Sequence, residues 1–170
     1  MKQPIAQRVK AYQMSNMVSR FHAHRLSHEN TVGHHSANVA LIAHELVEFN
    51  PQVEHEAYNI LLWCLQHDLP EYFTGDIPAP VKWESNNVSM ILDRMEKRWY
   101  ASLDIQVPDL SHEAYTIFKA SDALDAFITC YLEARAGNTL LGEVRAAYVA
   151  HIKTSFFHVN GVEEIFNEFQ

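Results

Sequence analysis

The chain is poor in residues that punctuate or cross-link a polypeptide: 170 residues include only 5 glycines, 6 prolines and 2 cysteines. With so few turn formers, and with apolar residues recurring mostly at three- and four-residue spacing, the composition favours helices over a sandwich or barrel of short strands. The expected fold is all-α, a compact single-domain helical bundle over residues 1–170. Cys64 and Cys130 both sit inside apolar helical runs and read as packing thiols in a reducing compartment, not as a disulfide framework. No run of 18 apolar residues occurs, and the opening MKQPIAQRVKAYQMSN has no apolar stretch of the signal-peptide kind. Neither a membrane span nor export is expected, and the cytoplasm is the default location. Excess positive charge is also missing: 13 Lys and Arg face 21 Asp and Glu, a formal net charge of -8. That balance excludes an extended footprint on nucleic acid but leaves room for small phosphorylated ligands, which need only a few local cations.

Histidine is what the chain has in plenty, with 11 residues, several of them between His22 and His35. Their positions on helices separate candidate ligands from bystanders. Periodicity predicts a first helix over about Pro4 to Arg20, then a polar stretch, FHAHRLSHEN, after which Asn30 or Thr31 caps a long helix to about Phe49. Asn50-Pro51 stops it. A third helix is expected from Val53 to His67, ending at Leu69-Pro70, followed by a short helical turn and a structured loop as far as Lys82. Further helices are expected near Val81–Leu103, Ser111–Ala136, Leu140–Thr154 and Val162–Glu168.

On the second helix, Val32, His35, Val39, Ile42, Leu46 and Phe49 share one apolar stripe, so His35 points inward while His34 lies on a polar face. On the third, Ala57, Ile60, Trp63, Cys64 and His67 share a side, with Asp68 following Leu61 and Cys64. An acid at the inner end of an apolar helix is costly unless it is paired or holds a metal. The later run KASDALDAF supplies two more acids, Asp122 and Asp125, and orientation alone does not choose between them. Two imidazoles and two carboxylates form a mixed nitrogen and oxygen set suited to a divalent ion such as Co, Mn, Zn, Ni, Fe or Mg, without naming which. Water on such an ion is acidic enough to supply hydroxide near neutral pH for attack on phosphorus.

The order His35, His67-Asp68, Asp122 resembles the metal-binding pattern of the HD-domain phosphohydrolase superfamily. Within it, QHDLPEYFTGDIPAPVK looks like the signature of the YfbR-type 5'-deoxynucleotidases, which carry a T-G-D-x-P-x-P-V-K stretch. SRFHAHRLSHENTVGHHS and KASDALDAF are similar to that family's flanking segments, so the resemblance runs from about Arg20 to Asn138. It implies an HD-type bundle in which His35, His67, Asp68 and Asp122 hold the metal. Arg20 and Lys82 would bind phosphate oxygens, with Lys119 a further candidate. Glu71 would be the acid/base group, and Asp76 would orient the sugar or assist proton transfer. The residues alone also admit plainer roles: Arg20 as a helix cap, Lys82 as a solvated helix start, Glu71 as a favourable charge at a helix N-terminus, Asp125 as a structural acid.

Two departures stand out. Phe21 replaces the family's Trp, leaving a smaller aromatic to pack against deoxyribose, and His34 replaces a Glu, removing a carboxylate from beside the metal histidine. The chain is also shorter beyond Asn138, which makes it similar to compact phage dATP triphosphohydrolases associated with 2-aminoadenine DNA. The expected activity is therefore cleavage of a dNTP, foremost dATP, between the 5'-oxygen and the α-phosphorus by metal-bound hydroxide. The alternative is a 5'-deoxynucleotidase acting on dNMPs, and a non-catalytic nucleotide-binding module ranks third. The expected partner is a small deoxynucleotide and no extended nucleic acid or membrane. The resemblance further implies a homo-oligomer, dimer or hexamer, in the cytoplasm, the host's if the protein is phage-encoded.

Overall fold

A computed structural model describes residues 5–77 and 86–170, the side chain of Asn86 excepted. Among them are eight α-helices and no strand beyond one isolated bridge, Ser19 with Thr31. The helices are α1 (Ile5–Asn16), α2 (Val32–Glu48), α3 (Ala57–Gln66), α4 (Glu71–Thr74), α5 (Asn86–Ser102), α6 (His112–Arg135), α7 (Gly142–Ser155) and α8 (Val162–Glu168). None of the described helices is long and apolar enough to cross a membrane.

The stop and start signals act where local chemistry places them. Thr31 caps α2 through its hydroxyl, which accepts the His34 N–H at 3.3 Å, and Ser111 caps α6 by accepting from Ala114 N–H at 3.1 Å. Pro51 opens not an α-helix but a 3₁₀ segment, Pro51–Glu56, so the third predicted helix begins as a tighter coil and becomes α-helical only at Ala57. The first helix ends at Asn16, short of Arg20, because residues 18–20 leave it to pair with residues 30–32: Val32 N–H donates to Val18 O, and Arg20 N–H to Asn30 O, both at 2.9 Å. Close packing of α1 on α2 depends on Gly33, where a Cβ would stand only 3.0 Å from Asn16 Cβ. Pro4, Pro78, Pro80 and Lys82, which entered the sequence reading, lie outside the described residues.

Helices α2, α3 and α6 enclose the main core. Val39, Ala43 and Leu46 from α2 meet Ile60 and Cys64 from α3 and Ile117, Leu124 and Phe127 from α6, all buried. Phe127 stacks on Phe166 with ring centroids 4.8 Å apart, which fastens α8 to the bundle. Burying one such side chain contributes roughly 1.5–3 kcal/mol, so this three-helix contact is the rigid frame of the molecule. The stripe read for α2 is rotated slightly: Phe49 is 54% exposed, and Ala43 and Val47 take the inner positions.

A second cluster, Leu69, Trp99, Tyr100 and Ile105 with Tyr12 beside it, joins the first through Trp63. It has a specific task at the end of α3. A helix C-terminus leaves carbonyl oxygens without intrahelical partners, and here Tyr100 Oη donates to Gln66 O and His67 O, each at 2.8 Å. Ser15 Oγ donates to Leu69 O at 2.8 Å. The turn carrying His67 and Asp68 is thus tied to both α1 and α5.

Candidate metal centre

Three helices deliver the inward residues to one place. His35 lies in the second turn of α2 with 0% exposure; His67 and Asp68 follow the end of α3, and Asp122 sits mid-way along α6. His35 Nε2 is 3.3 Å from His67 Nε2, 3.3 Å from Asp122 Oδ1 and 3.4 Å from Asp68 Oδ2, and His67 Nε2 is 3.3 Å from Asp68 Oδ1. Donor atoms of His35, His67 and Asp122 all fall within 4.8 Å of one another. The four side chains proposed from sequence as ligands therefore share one locus.

Hydrogen bonds behind the rings fix which nitrogen each ring turns toward that locus. His35 Nδ1 lies 2.7 Å from Asp125 Oδ2, and His67 Nδ1 lies 2.9 Å from Cys64 O. A carboxylate and a carbonyl can only accept, so both rings carry a proton on Nδ1 and turn Nε2 toward the cluster, where its lone pair would serve a bound cation. Two Nε2 atoms and two carboxylates then converge on one point. The mixed nitrogen and oxygen character of this set suits a divalent ion, with each ring oriented by the acceptor behind it. Burial opposes ionisation of Asp68, yet His67, His35 and Arg20 together hold its carboxyl well below the usual range; Asp122 is likewise depressed against burial, chiefly by Lys119.

Asp125 is the residue that sequence reasoning misjudged. The replacement of Glu by His34 predicts that no carboxylate stands behind the metal histidine, and the residues alone leave Asp125 a plain structural acid. Instead Asp125, 2% exposed, aims His35 and lies 3.7 Å from Arg20 Nη1. The signal was available: an acid among Phe118, Leu124 and Ile128 calls for a partner just as Asp68 does.

In front of the cluster opens a cavity of about 530 Å³. Arg20, Phe21, Glu71, Asp76 and Lys119 all line it, together with His67, Asp68 and Asp122. Lys82 lies outside the described residues. The Arg20 side chain is largely buried, its Nε and Nη1 have no hydrogen-bond partner among the described residues, and its guanidinium carbon stands 5.5 Å from the Phe21 ring centre. Lys119 Nζ hydrogen-bonds Asp122 Oδ2, and Glu71 is buried at the first turn of α4. Aromatic and apolar groups, Trp63, Leu92, Tyr115, Phe118 and Tyr148, complete the walls, with His151 beside them. Burial lowers the pKa of His151, helped by Lys119, and pushes Tyr148 up to about 12, so both favour their neutral forms.

Residues 10–169 match the sequence family described as 5'-deoxynucleotidase YfbR-like. The chain belongs to the YfbR-like family. A 5'-deoxynucleotidase of Klebsiella pneumoniae is 32% identical over 141 residues, 72% of this chain and 70% of the relative. The 5'-deoxynucleotidase YfbR of Salmonella paratyphi B is 30% identical over 145 residues, 74% of this chain and 72% of the relative. Among solved structures, an HD-domain phosphohydrolase from Listeria innocua superposes with a TM-score of 0.79 at 21% identity, over 96% of this chain and 86% of the other. The cyanophage S-2L HD phosphohydrolase DatZ, bound to dA and one catalytic zinc ion, superposes with a TM-score of 0.71 at 19% identity, over 99% of this chain and 96% of the other. As a YfbR-like protein with an HD-type helical fold, the chain is a metal-dependent nucleotide phosphohydrolase.

Proposed function

We propose that the chain hydrolyses the 5'-phosphate ester of a deoxynucleoside monophosphate, releasing deoxynucleoside and inorganic phosphate. The observation that carries this is the composition of the cavity wall. Acids dominate it, with Asp93 and Glu96 from α5 and Glu143 from α7 added to Asp68, Glu71, Asp76 and Asp122; the described lining residues offer only Arg20 and Lys119 as fixed cations. One phosphate fits that balance. Two further phosphates would bring negative charge against an acidic wall, at a cost in affinity that grows as water is excluded.

His35, His67, Asp68 and Asp122 would hold the divalent ion, and the chemistry it supplies is Lewis acidity, polarising a phosphoryl oxygen and making water acidic enough to act near neutral pH. The remaining work falls to the chain's own side chains. Arg20 lines the cavity beside the cluster, and its guanidinium would supply positive charge and N–H donors to phosphate oxygens. Lys119, held beside Asp122, adds a second positive charge as electrons shift toward the leaving oxygen. Glu71 is the group to move a proton between water and the departing 5'-oxygen. The Phe21 ring would pack on the sugar, where a 2'-hydroxyl meets an apolar face, while Trp63 and Phe118 offer surface to the nucleoside.

The test is product analysis on protein loaded with zinc, cobalt or manganese and given dAMP, AMP, dATP and ATP. Phosphate release from dAMP, faster than from AMP and without triphosphate from dATP, is the expected result. Triphosphate and deoxyadenosine from dATP alone would replace the monophosphate reading by the triphosphohydrolase expected from sequence. Asp122→Ala should lose both bound metal and turnover, and full activity in that variant would remove the ion from the reaction.

A further inference from the structure

Asp76 lies on the rim of the cavity, yet its carboxylate is committed elsewhere. Oδ2 accepts the backbone N–H of Phe21 at 2.8 Å, across 55 positions of sequence. Phe21 has φ of +54°, a left-handed conformation that an aromatic residue rarely adopts without something to hold it. The backbone on the N-terminal side is fixed by pairing with residues 30–32, through Arg20 N–H to Asn30 O at 2.9 Å. On the C-terminal side, a local turn from His24 N–H to Phe21 O at 2.7 Å closes the loop on itself. The Asp76 carboxylate ties that turned residue to the far side of the cavity.

The geometry of the second loop explains how Asp76 arrives there. Gly75 ends α4 with φ of +69° and ψ of 169°, a region essentially restricted to glycine, and its N–H donates to Glu71 O at 2.7 Å. The chain reverses at that glycine and swings Asp76 back over the cavity toward Phe21. Glu71, Gly75 and Asp76 therefore form one turn that connects the proposed proton-transfer group to the loop bearing Arg20.

We infer that Asp76 is a positioning residue: by gripping the Phe21 N–H it sets where the Arg20 guanidinium and the Phe21 ring stand, and does not itself touch the reacting atoms. This rests on the proposed phosphate-binding role of Arg20 and replaces the sugar-orienting or proton-transferring role that resemblance gives Asp76. Its consequence is a chemical distinction between variants. Asparagine keeps an oxygen that can accept the Phe21 N–H but removes the negative charge and the capacity to take a proton; alanine removes all three.

The experiment compares wild type, Asp76→Asn and Asp76→Ala as metal-loaded enzymes, with KM and kcat on dAMP and hydrogen exchange at the Phe21 amide. Asp76→Ala should raise KM by about tenfold, the loss of one charge-assisted hydrogen bond that organises the site, with a smaller change in kcat and rapid exchange at Phe21. Asp76→Asn should bring KM back to within about threefold of wild type and restore much of the amide protection. Equal loss of kcat in both variants with KM unchanged would overturn the inference, because it would put the carboxylate in the chemistry. Unaltered protection of Phe21 in Asp76→Ala would overturn it too. Asp76→Ser, too short to span the gap, replaces Asp76→Ala if that variant does not fold. If wild type turns over no deoxynucleotide, the proposed function fails, while amide exchange still settles whether Asp76 holds Phe21.

Discussion

Behind the metal cluster, His35 and Asp125 are sealed between α2 and α6 at 0% and 2% exposure, with Leu124 and Phe127 packed alongside. Across the cavity, Asp93 and Glu96 stand on α5, whose other face leaves Met90, Ile91 and Met95 about half exposed. One wall of the cavity is core and the other is surface. The sealed wall fixes ligand directions through close packing, where a small displacement costs van der Waals contact on every side. The open wall carries charge and aromatic surface on elements that can be altered without disturbing the frame, and that is where substrate selection is placed.

The sharpest way to break this comparison is to remove volume from each side. Phe127→Ala should lower stability by ~3–5 kcal/mol, since the ring is fully buried and stacked on Phe166. Met90→Ala, at a residue 57% exposed, should stay within ~0.5 kcal/mol. Denaturant melts of the two variants check the contrast, and similar losses would mean that α5 belongs to the frame after all. A smaller effect is expected from Asp125→Ala, which leaves the His35 Nδ1 proton buried without its acceptor. Metal affinity should fall roughly 10–100-fold, measured by competition with a chelator, and Asp125→Asn should recover part of it because an amide oxygen also accepts. Unchanged affinity would show that packing alone aims the ring.

The sealed wall was also the legible one. His35 on an apolar stripe, His67-Asp68 at the end of α3 and an acid in KASDALDAF are features of helical periodicity, and the bundle converts periodicity into direction with little ambiguity. The choice between Asp122 and Asp125 was not legible, because one helical turn separates them and each faces inward at a different depth. Asp122 reaches the imidazole from the cavity side and Asp125 from behind. The role of Asp76 was hidden for another reason. It depends on a bond to a backbone N–H in a loop 55 residues away, and no side-chain pattern encodes the φ of +54° at Phe21. The 3₁₀ segment ahead of α3 is not legible either, since periodicity does not separate a 3₁₀ turn after Pro51 from the first turn of an α-helix.

The mildest prediction concerns the loop that carries Arg20 and Phe21, whose far end is gripped by a buried acid and by Asn138, which donates to Arg25 O at 2.8 Å. Glu133, 5% exposed on α6, accepts from Ser27 N–H at 2.8 Å and His28 N–H at 3.3 Å, and from the Asn138 amide at 2.6 Å. Burial works against its ionisation, but these donors outweigh it and hold the carboxyl below its usual 4.5. A group depressed by folding stabilises the native state fully above the unfolded pKa, and that contribution disappears as pH falls through the lower folded value. Glu133→Gln lacks the titrating charge, so the melting temperature should drop by roughly 2–4 °C at neutral pH, and the gap to wild type should close as pH falls below the usual 4.5 and through the lower folded value. Melting curves across that range are the measurement. A gap that stays constant with pH would mean the carboxylate charge is not what anchors the loop, and that the open wall is held by shape as the sealed one is.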